Sequence, residues 1–344
     1  SEPTEDESRP DPDAAIRPLV RGIHYLVAED PDRALHELVE VARTHGAELA
    51  EVYLALGDLF RARGEYLRAV RIHQSVLARP QLDAEIRFRA HWALARDFHS
   101  GGFLDRALKQ YRAVLELQPD HLPALEGMLA IHEDAGEWEA ALSVLRRIGE
   151  VRGERDAAHE AFVRASLAAA LPEREKAQAL AEEALSVYPG CGLGWEVKLS
   201  VEPEAAAEIL DQWKTHARAS LPYALALAER LAPEAVEAWL QEAQDELREV
   251  EWLGWAEAAE SGRARQVLKA AGFQPQTLRG WLRWSAITGE SEGARWAREW
   301  RASEGNWRCA QCGLVLRELR WRCPQCRRWG TMRAIERELG CVPA

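Results

Sequence analysis

GDLFRARGEYLRAVRIHQSVLARP, residues 57–80, holds the plan of the chain in 24 residues. An apolar helical run is followed by a glycine-containing turn, and a second helical run opens near an aromatic and an alanine. The same order returns in ARDFHSGGFLDRALKQYRAVLELQPD, residues 95–120, and in LAIHEDAGEWEAALSVLRRIGE, residues 129–150. Ala107 and Ala141 are 34 residues apart, Ala69 lies 38 residues before Ala107, and Ala177 lies 36 after Ala141. A fixed spacing of this size marks a chain built from one supersecondary unit used repeatedly.

A helix–turn–helix unit of about 34 residues is the tetratricopeptide pattern. Small residues (Gly57, Ala69, Ala95, Ala107, Ala141, Ala177) stand where paired helices approach closely, and Phe60, Phe98 and Tyr111 fill the gaps between turns. Pro119 and Pro189 each follow the alanine by twelve residues and close their repeats, because proline cannot continue a helix. One hairpin cannot bury its apolar face alone, so neighbours must stack. The predicted fold is all-α, a tetratricopeptide superhelix (α-solenoid). GIHYLVAED and PDRALHELVEVARTHG, residues 22–46, read as an N-terminal repeat, so regular repeats are expected over 14–190. Over 191–305 the spacing is lost, while EPEAAAEIL, APEAVEAWLQEAQ and GRARQVLKAAGF still read as helices entered through Pro or left through Gly. Twelve of the fourteen Trp fall after residue 190, among them Trp252, Trp255, Trp281, Trp284, Trp296 and Trp300. They read as core residues that weld these degenerate helices to one another and to the C-terminal segment.

That segment is WRCAQCGLVLRELRWRCPQCRRW, residues 307–329, with two CxxC pairs separated by ten residues. Each CxxC turn aims two sulfurs at one ion, so Cys309, Cys312, Cys323 and Cys326 supply a closed tetrahedral shell. Gly313 follows the first pair, where such a turn needs positive φ, and Pro324 stiffens the second. Zn²⁺ is the default ion, and iron fits the same four sulfurs. Four protein ligands leave no position for water, which argues against hydrolysis. A metal here folds residues too few to hold a core of their own. GLVLREL with Trp307, Trp321 and Trp329 is expected to offer a small face that docks on the helices. The reading from another class is an iron- or redox-sensing protein on a tetratricopeptide scaffold.

The net charge is −12, which argues against nucleic-acid binding by the chain as a whole. From Arg295 to Arg337, however, eleven Arg face four Glu. This basic end is either a solvated face or a surface for an anionic partner, with Arg317, Arg320, Arg327 and Arg328 as the candidates for anionic lipid. Cysteines clustered in this way fit a reducing compartment, and Cys191 and Cys341 read as spectators. SEPTEDESRPDPD, residues 1–13, is acidic, proline-bearing and almost without apolar residues, and reads as a disordered tail. The Ser at position 1 implies that something upstream was removed. No apolar run of about 18 residues is present, so no membrane span is expected in the chain as given. HELVE, HEDAG and HEAFV each lack the second His of HExxH, and CGLGW reads as a turn rather than a nucleotide loop.

The array GDLFRARGEYLRAVRIHQ and ARDFHSGGFLDRA, ending in RCAQCGLVLRELRWRCPQCRRW, resembles the lipopolysaccharide assembly protein B family. The likeness is sharpest over residues 56–74 and 308–329. It implies tetratricopeptide repeats and a C-terminal rubredoxin-like (zinc-ribbon) metal domain at 306–335, with the family's metal cysteines at Cys309, Cys312, Cys323 and Cys326. It also implies a protein of the Gram-negative inner membrane, with a single N-terminal anchor that this chain lacks and a cytoplasmic body. The implied role is a non-catalytic adaptor that restrains lipopolysaccharide synthesis. Its partners would be the membrane protease FtsH, the deacetylase LpxC whose degradation it promotes, and other lipopolysaccharide assembly proteins. Lipopolysaccharide itself or another anionic lipid is a further candidate ligand. Arg327 stands where the family pattern has glycine after the fourth cysteine. Polar residues on the first helices of the repeats, Arg61, Arg96, Asp97 and His132, are the candidates for gripping a protein partner.

Overall fold

A computed structural model describes residues 50–79, 82–288 and 306–335, with isolated positions between 20 and 33. The acidic tail, most of the N-terminal repeat, Trp296, Trp300 and Cys341 lie outside the described residues. The described residues are helical as far as Thr288 and end in a small three-stranded sheet. They fall into two compact units, one up to Gly136 and one from Glu137.

The first unit holds α1 (Ala50–Ala62), α2 (Tyr66–Leu77), α3 (Ala84–Ser100), α4 (Leu104–Leu117) and α5 (Leu122–Ala135). The α1–α2 and α3–α4 hairpins turn on Gly64 and Gly102, whose φ of 80° and 77° lie in the left-handed region that disfavours a β-carbon. Both turns close in the same way, with the N–H of Glu65 on the carbonyl of Phe60 and that of Phe103 on the carbonyl of Phe98. Ala69, Ala95 and Ala107 are fully buried, so the paired helices approach with no bulk between them. Gly57 on α1 serves the same end, since a β-carbon there would meet the His73 ring of α2 at 2.2 Å.

The second unit starts with α6 (Trp138–Arg152), α7 (Ala157–Ala170) and α8 (Arg174–Val187). It continues with α9 (Gly192–Val201), α10 (Ala206–Ala217), α11 (Leu221–Leu231), α12 (Pro233–Ala243), α13 (Glu249–Ala256), α14 (Ser261–Ala270) and α15 (Leu278–Thr288). One apolar core runs from Ala161 to Ile287, straight through the position near Gly190 where the sequence repeat loosens. Large aromatics replace the alanine spacing there: Trp213 and Trp255 are fully buried, and Trp239 and Trp252 nearly so. Each buried indole N–H needs an acceptor. Trp213 donates to Ser220 Oγ at 2.9 Å, Trp239 to Asp211 at 3.0 Å and Trp255 to Glu229 at 2.8 Å. Trp281 differs from the expectation of a core residue, with 45% of its surface exposed.

Candidate metal centre and its docking face

The C-terminal module is a sheet of β1 (Trp307–Cys309), β2 (Val315–Leu316) and β3 (Met332–Ala334), antiparallel in the order β2-β1-β3. Its two cysteine turns are built alike. In the first, Cys309 N–H donates to the Leu314 carbonyl and Gly313 N–H to the Cys309 carbonyl; in the second, Cys323 N–H donates to Arg328 and Arg327 N–H to Cys323. The residue that ends each turn has positive φ, 77° at Gly313 and 58° at Arg327. Arg327 is the one non-glycine residue with positive φ among the described residues.

These turns bring the four sulfurs within 4.8 Å of one another, with Cys309 to Cys326 and Cys312 to Cys323 both at 3.6 Å. A tetrahedral ion with bonds of about 2.3 Å to sulfur requires sulfur–sulfur edges of about 3.8 Å. The cluster therefore has the size and donor chemistry of a site for one metal ion. Cys309 and Cys323 are buried, and Cys312 and Cys326 half-buried. Burial pushes the Cys309 thiol up, but hydrogen bonds from Thr331, the backbone and the Cys326 thiol outweigh it and bring it down to about 6. The backbone N–H of Arg328 favours the Cys326 thiolate, yet burial and the neighbouring sulfurs push that thiol up to about 11. Such a cluster shares protons that a cation would release.

The module docks through Trp321 and Trp329. The Trp329 ring stacks on Phe162 of α7 at 5.7 Å and meets Trp138 of α6 edge-on at 6.3 Å. Trp321 lies against Phe162, Trp213 and Tyr223, and its indole N–H donates to Glu196 of α9. The second oxygen of Glu196 accepts from the Tyr223 hydroxyl at 2.7 Å. Contact is tight at two glycines: a β-carbon on Gly192 would meet the Trp321 ring at 2.3 Å, and one on Gly330 the Phe162 ring at 2.7 Å. Trp307 lies in the module's own cluster with Cys309, Cys323 and Met332, and Tyr223 of α11 packs against that cluster. The docking pair reaches back to α6, α7 and α9–α11. Phe162, Gly192 and Glu196 were not singled out from the sequence, since they lie over a hundred residues from the cysteines. CGLGW, read as a turn, is instead the start of α9: Gly192–Trp195 are helical and Cys191 is the N-cap. Cys191 is buried, and burial pushes its thiol up to about 12, as befits a packing residue.

The candidates for gripping a protein partner separate. Asp97 is wholly buried and accepts from His73 Nδ1 at 2.5 Å and from Arg61 at 3.3 Å. His73 Nε2 lies 3.1 Å from the Leu54 carbonyl, so this network ties α1, α2 and α3 together. His132 is likewise buried, at 5% exposure. As surface contacts, Asp97 and His132 are corrected: a polar residue on a first helix faces inward wherever a partner helix supplies its hydrogen bond. Arg61 is largely covered, its side chain 12% exposed, and pairs with Asp58 and Asp97. Arg96 alone of the four is exposed, its guanidinium 5.7 Å from the centre of the Trp92 ring. Arg317, Arg320, Arg327 and Arg328 are all exposed on the module. They do not converge on one cavity: Arg317 lines one beside α11 and α13, and Arg320 another beside α7 and α10.

Residues 307–334 match the model of a rubredoxin metal binding domain. Lipopolysaccharide assembly protein B of Escherichia coli (strain K12) is 32% identical over 132 residues, 38% of this chain and 34% of that protein. The protein of the same name from Haemophilus influenzae is 31% identical over 185 residues, 51% of this chain and 46% of that protein. The chain thus spans between a third and a half of the length of these curated relatives. Among solved structures, a tetratricopeptide repeat protein from Parabacteroides merdae aligns with 76% of this chain and 100% of its own, at 14% identity and a TM-score of 0.37, which is too low to argue from. The repeat rests instead on this chain's own hairpins. By its sequence, the chain is similar over part of its length to lipopolysaccharide assembly protein B, and its C-terminal end matches a rubredoxin metal binding domain.

Proposed function

We propose that the chain is a non-catalytic adaptor in lipopolysaccharide assembly, acting at the cytoplasmic face of the inner membrane. It binds protein partners through its helical repeats and promotes FtsH-dependent degradation of the deacetylase LpxC. The observation that carries this reading is the closed set of four sulfurs clamped onto the helices by Trp321 and Trp329. An ion held by four protein sulfurs has no open position for substrate, so it serves as a brace and recognition falls to the helices. The ion is zinc. In support, the relatives that match over part of this chain carry the lipopolysaccharide assembly name. Among the described residues no helix is long and apolar enough to cross a membrane.

The test is co-purification from membranes with LpxC and FtsH, together with the lifetime of LpxC in cells. Expected are retention of both partners and a longer LpxC lifetime when the chain is depleted. Arg96→Glu, a charge reversal on an exposed first-helix position, should weaken capture without lowering the melting temperature. Capture of neither partner by the wild-type chain would overturn the reading. Metal analysis distinguishes brace from redox centre: a colourless protein with one zinc per chain is expected, and a red protein with reversible reduction would favour the iron reading.

A further inference from the structure

We infer that the cavity at the seam between the metal module and the helices is a binding site for a phosphomonoester group. The cavity is about 180 Å³ and is bounded by α7, the connection between α10 and α11, and the turns carrying Trp321 and Gly330. Arg218, Arg320, Arg333 and His216 line it, and among the described residues no carboxylate does. In a chain of net charge −12, a lining of three guanidinium groups and an imidazole without an acid is a local inversion of charge.

The arginines are held in ways that leave the cavity positive. Glu251, fully buried, accepts from Arg218 at 2.9 and 3.0 Å and from Arg248 at 2.8 Å, so one carboxylate fixes two guanidinium groups without cancelling both charges. Arg333 donates to the carbonyls of Gly330 and Met332, which orient the guanidinium without neutralising it. Arg320 is two-thirds exposed and approaches Glu318 no closer than 3.9 Å. His216 lies flat on Trp195 at 6.4 Å. The planar fork of arginine matches phosphate oxygens two at a time, and a doubly charged oxyanion suits three such groups better than a carboxylate. The volume is below the range of about 300–1,000 Å³ usual for whole organic ligands, so the cavity takes the phosphate and the remainder of the ligand projects outward. Arg320 and Arg333 belong to the module, Arg218 and His216 to the helices. A bound phosphate therefore bridges the seam, removes repulsion among like charges and tightens the docking that Trp321 and Trp329 provide.

The experiment uses the full metal-loaded chain. Thermal unfolding is followed by tryptophan fluorescence in sodium phosphate and in sodium chloride of equal ionic strength. Phosphate should raise the melting temperature by about 2–4 °C over chloride at saturation. Arg320→Gln/Arg333→Gln should weaken phosphate binding about tenfold or more, whereas Arg328→Gln, exposed and outside the cavity, should leave it unchanged. Flotation with phosphatidylcholine vesicles containing phosphatidic acid identifies the source. Vesicle binding displaced by free phosphate assigns a lipid headgroup, and a phosphate shift without vesicle binding assigns a soluble phosphate ester; both support the cavity. No shift in the wild-type chain, or an equal shift in the double variant and wild type, would overturn the inference. Circular dichroism of the double variant in chloride guards against misfolding; should it be unfolded, Arg320→Gln alone is measured by the same criterion.

Discussion

Arg327 holds a backbone conformation that its side chain opposes. Gly313 at the equivalent place in the first cysteine turn reaches φ 77° at no steric cost, while Arg327 at 58° crowds its β-carbon against the carbonyl. Arg327→Gly should therefore raise stability by about 0.5–1 kcal/mol, the relief of strain being partly offset by the freer unfolded chain. A rise in denaturant midpoint at unchanged slope is the expected result. The sequence showed the missing glycine as a departure from a pattern, and only the backbone showed the strained φ. Glu160 of α7 carries a second residue-scale prediction. Its carboxylate accepts from Arg155 at 2.5 and 2.7 Å and from Arg164 at 2.8 Å. Hydrogen bonding to Arg155, with Arg164 assisting against the opposing effect of burial, holds it down at about 2. The folded value lies below the unfolded one, so the stabilisation is complete above about pH 4.5 and is lost as pH falls towards 2. Glu160→Gln should melt below wild type at pH 7, and the gap should close across that window. A gap independent of pH would show that the carboxylate charge is not what matters.

Trp321 is the side chain that joins the module to the most helices, touching Phe162, Gly192, Trp213 and Tyr223 and bonding Glu196. Trp321→Ala should cost about 3 kcal/mol and release the module. Gly192→Ala should have a similar consequence from the other side, because its new methyl occupies the place of the indole. Limited proteolysis should then cleave near residue 306 while the four sulfurs still retain metal. Protection equal to wild type in both variants would mean that docking depends on other contacts. The helices themselves were legible because periodicity 3.6, glycine turns and closing prolines are local signals. The docking partners were not, since Glu196 and Trp321 are 125 residues apart and nothing local marks a glutamate as the acceptor for a particular indole.

Across the whole molecule, the metal should stabilise the second unit alone. Stripping it with a chelator, or replacing Cys323 by Ser, should open residues 306–335 and expose Trp321 and Trp329 to water. The expected signs are red-shifted tryptophan emission and a lower melting temperature for the unit beginning at Glu137, with hydrogen exchange in the unit ending at Gly136 unchanged. Unaltered emission after verified metal loss would remove the brace from the account. The repeat unit, the small residues at helix contacts and the clustering of four cysteines could be read from the sequence by itself, because each depends on spacing along the chain and on what one residue type can do there. Which polar residues turned inward, where the module docked and how basic side chains from two distant segments came to share one cavity were decided only by the tertiary structure. Those outcomes depend on side chains meeting across the fold, where burial and hydrogen-bond partners, rather than local pattern, set what each residue does.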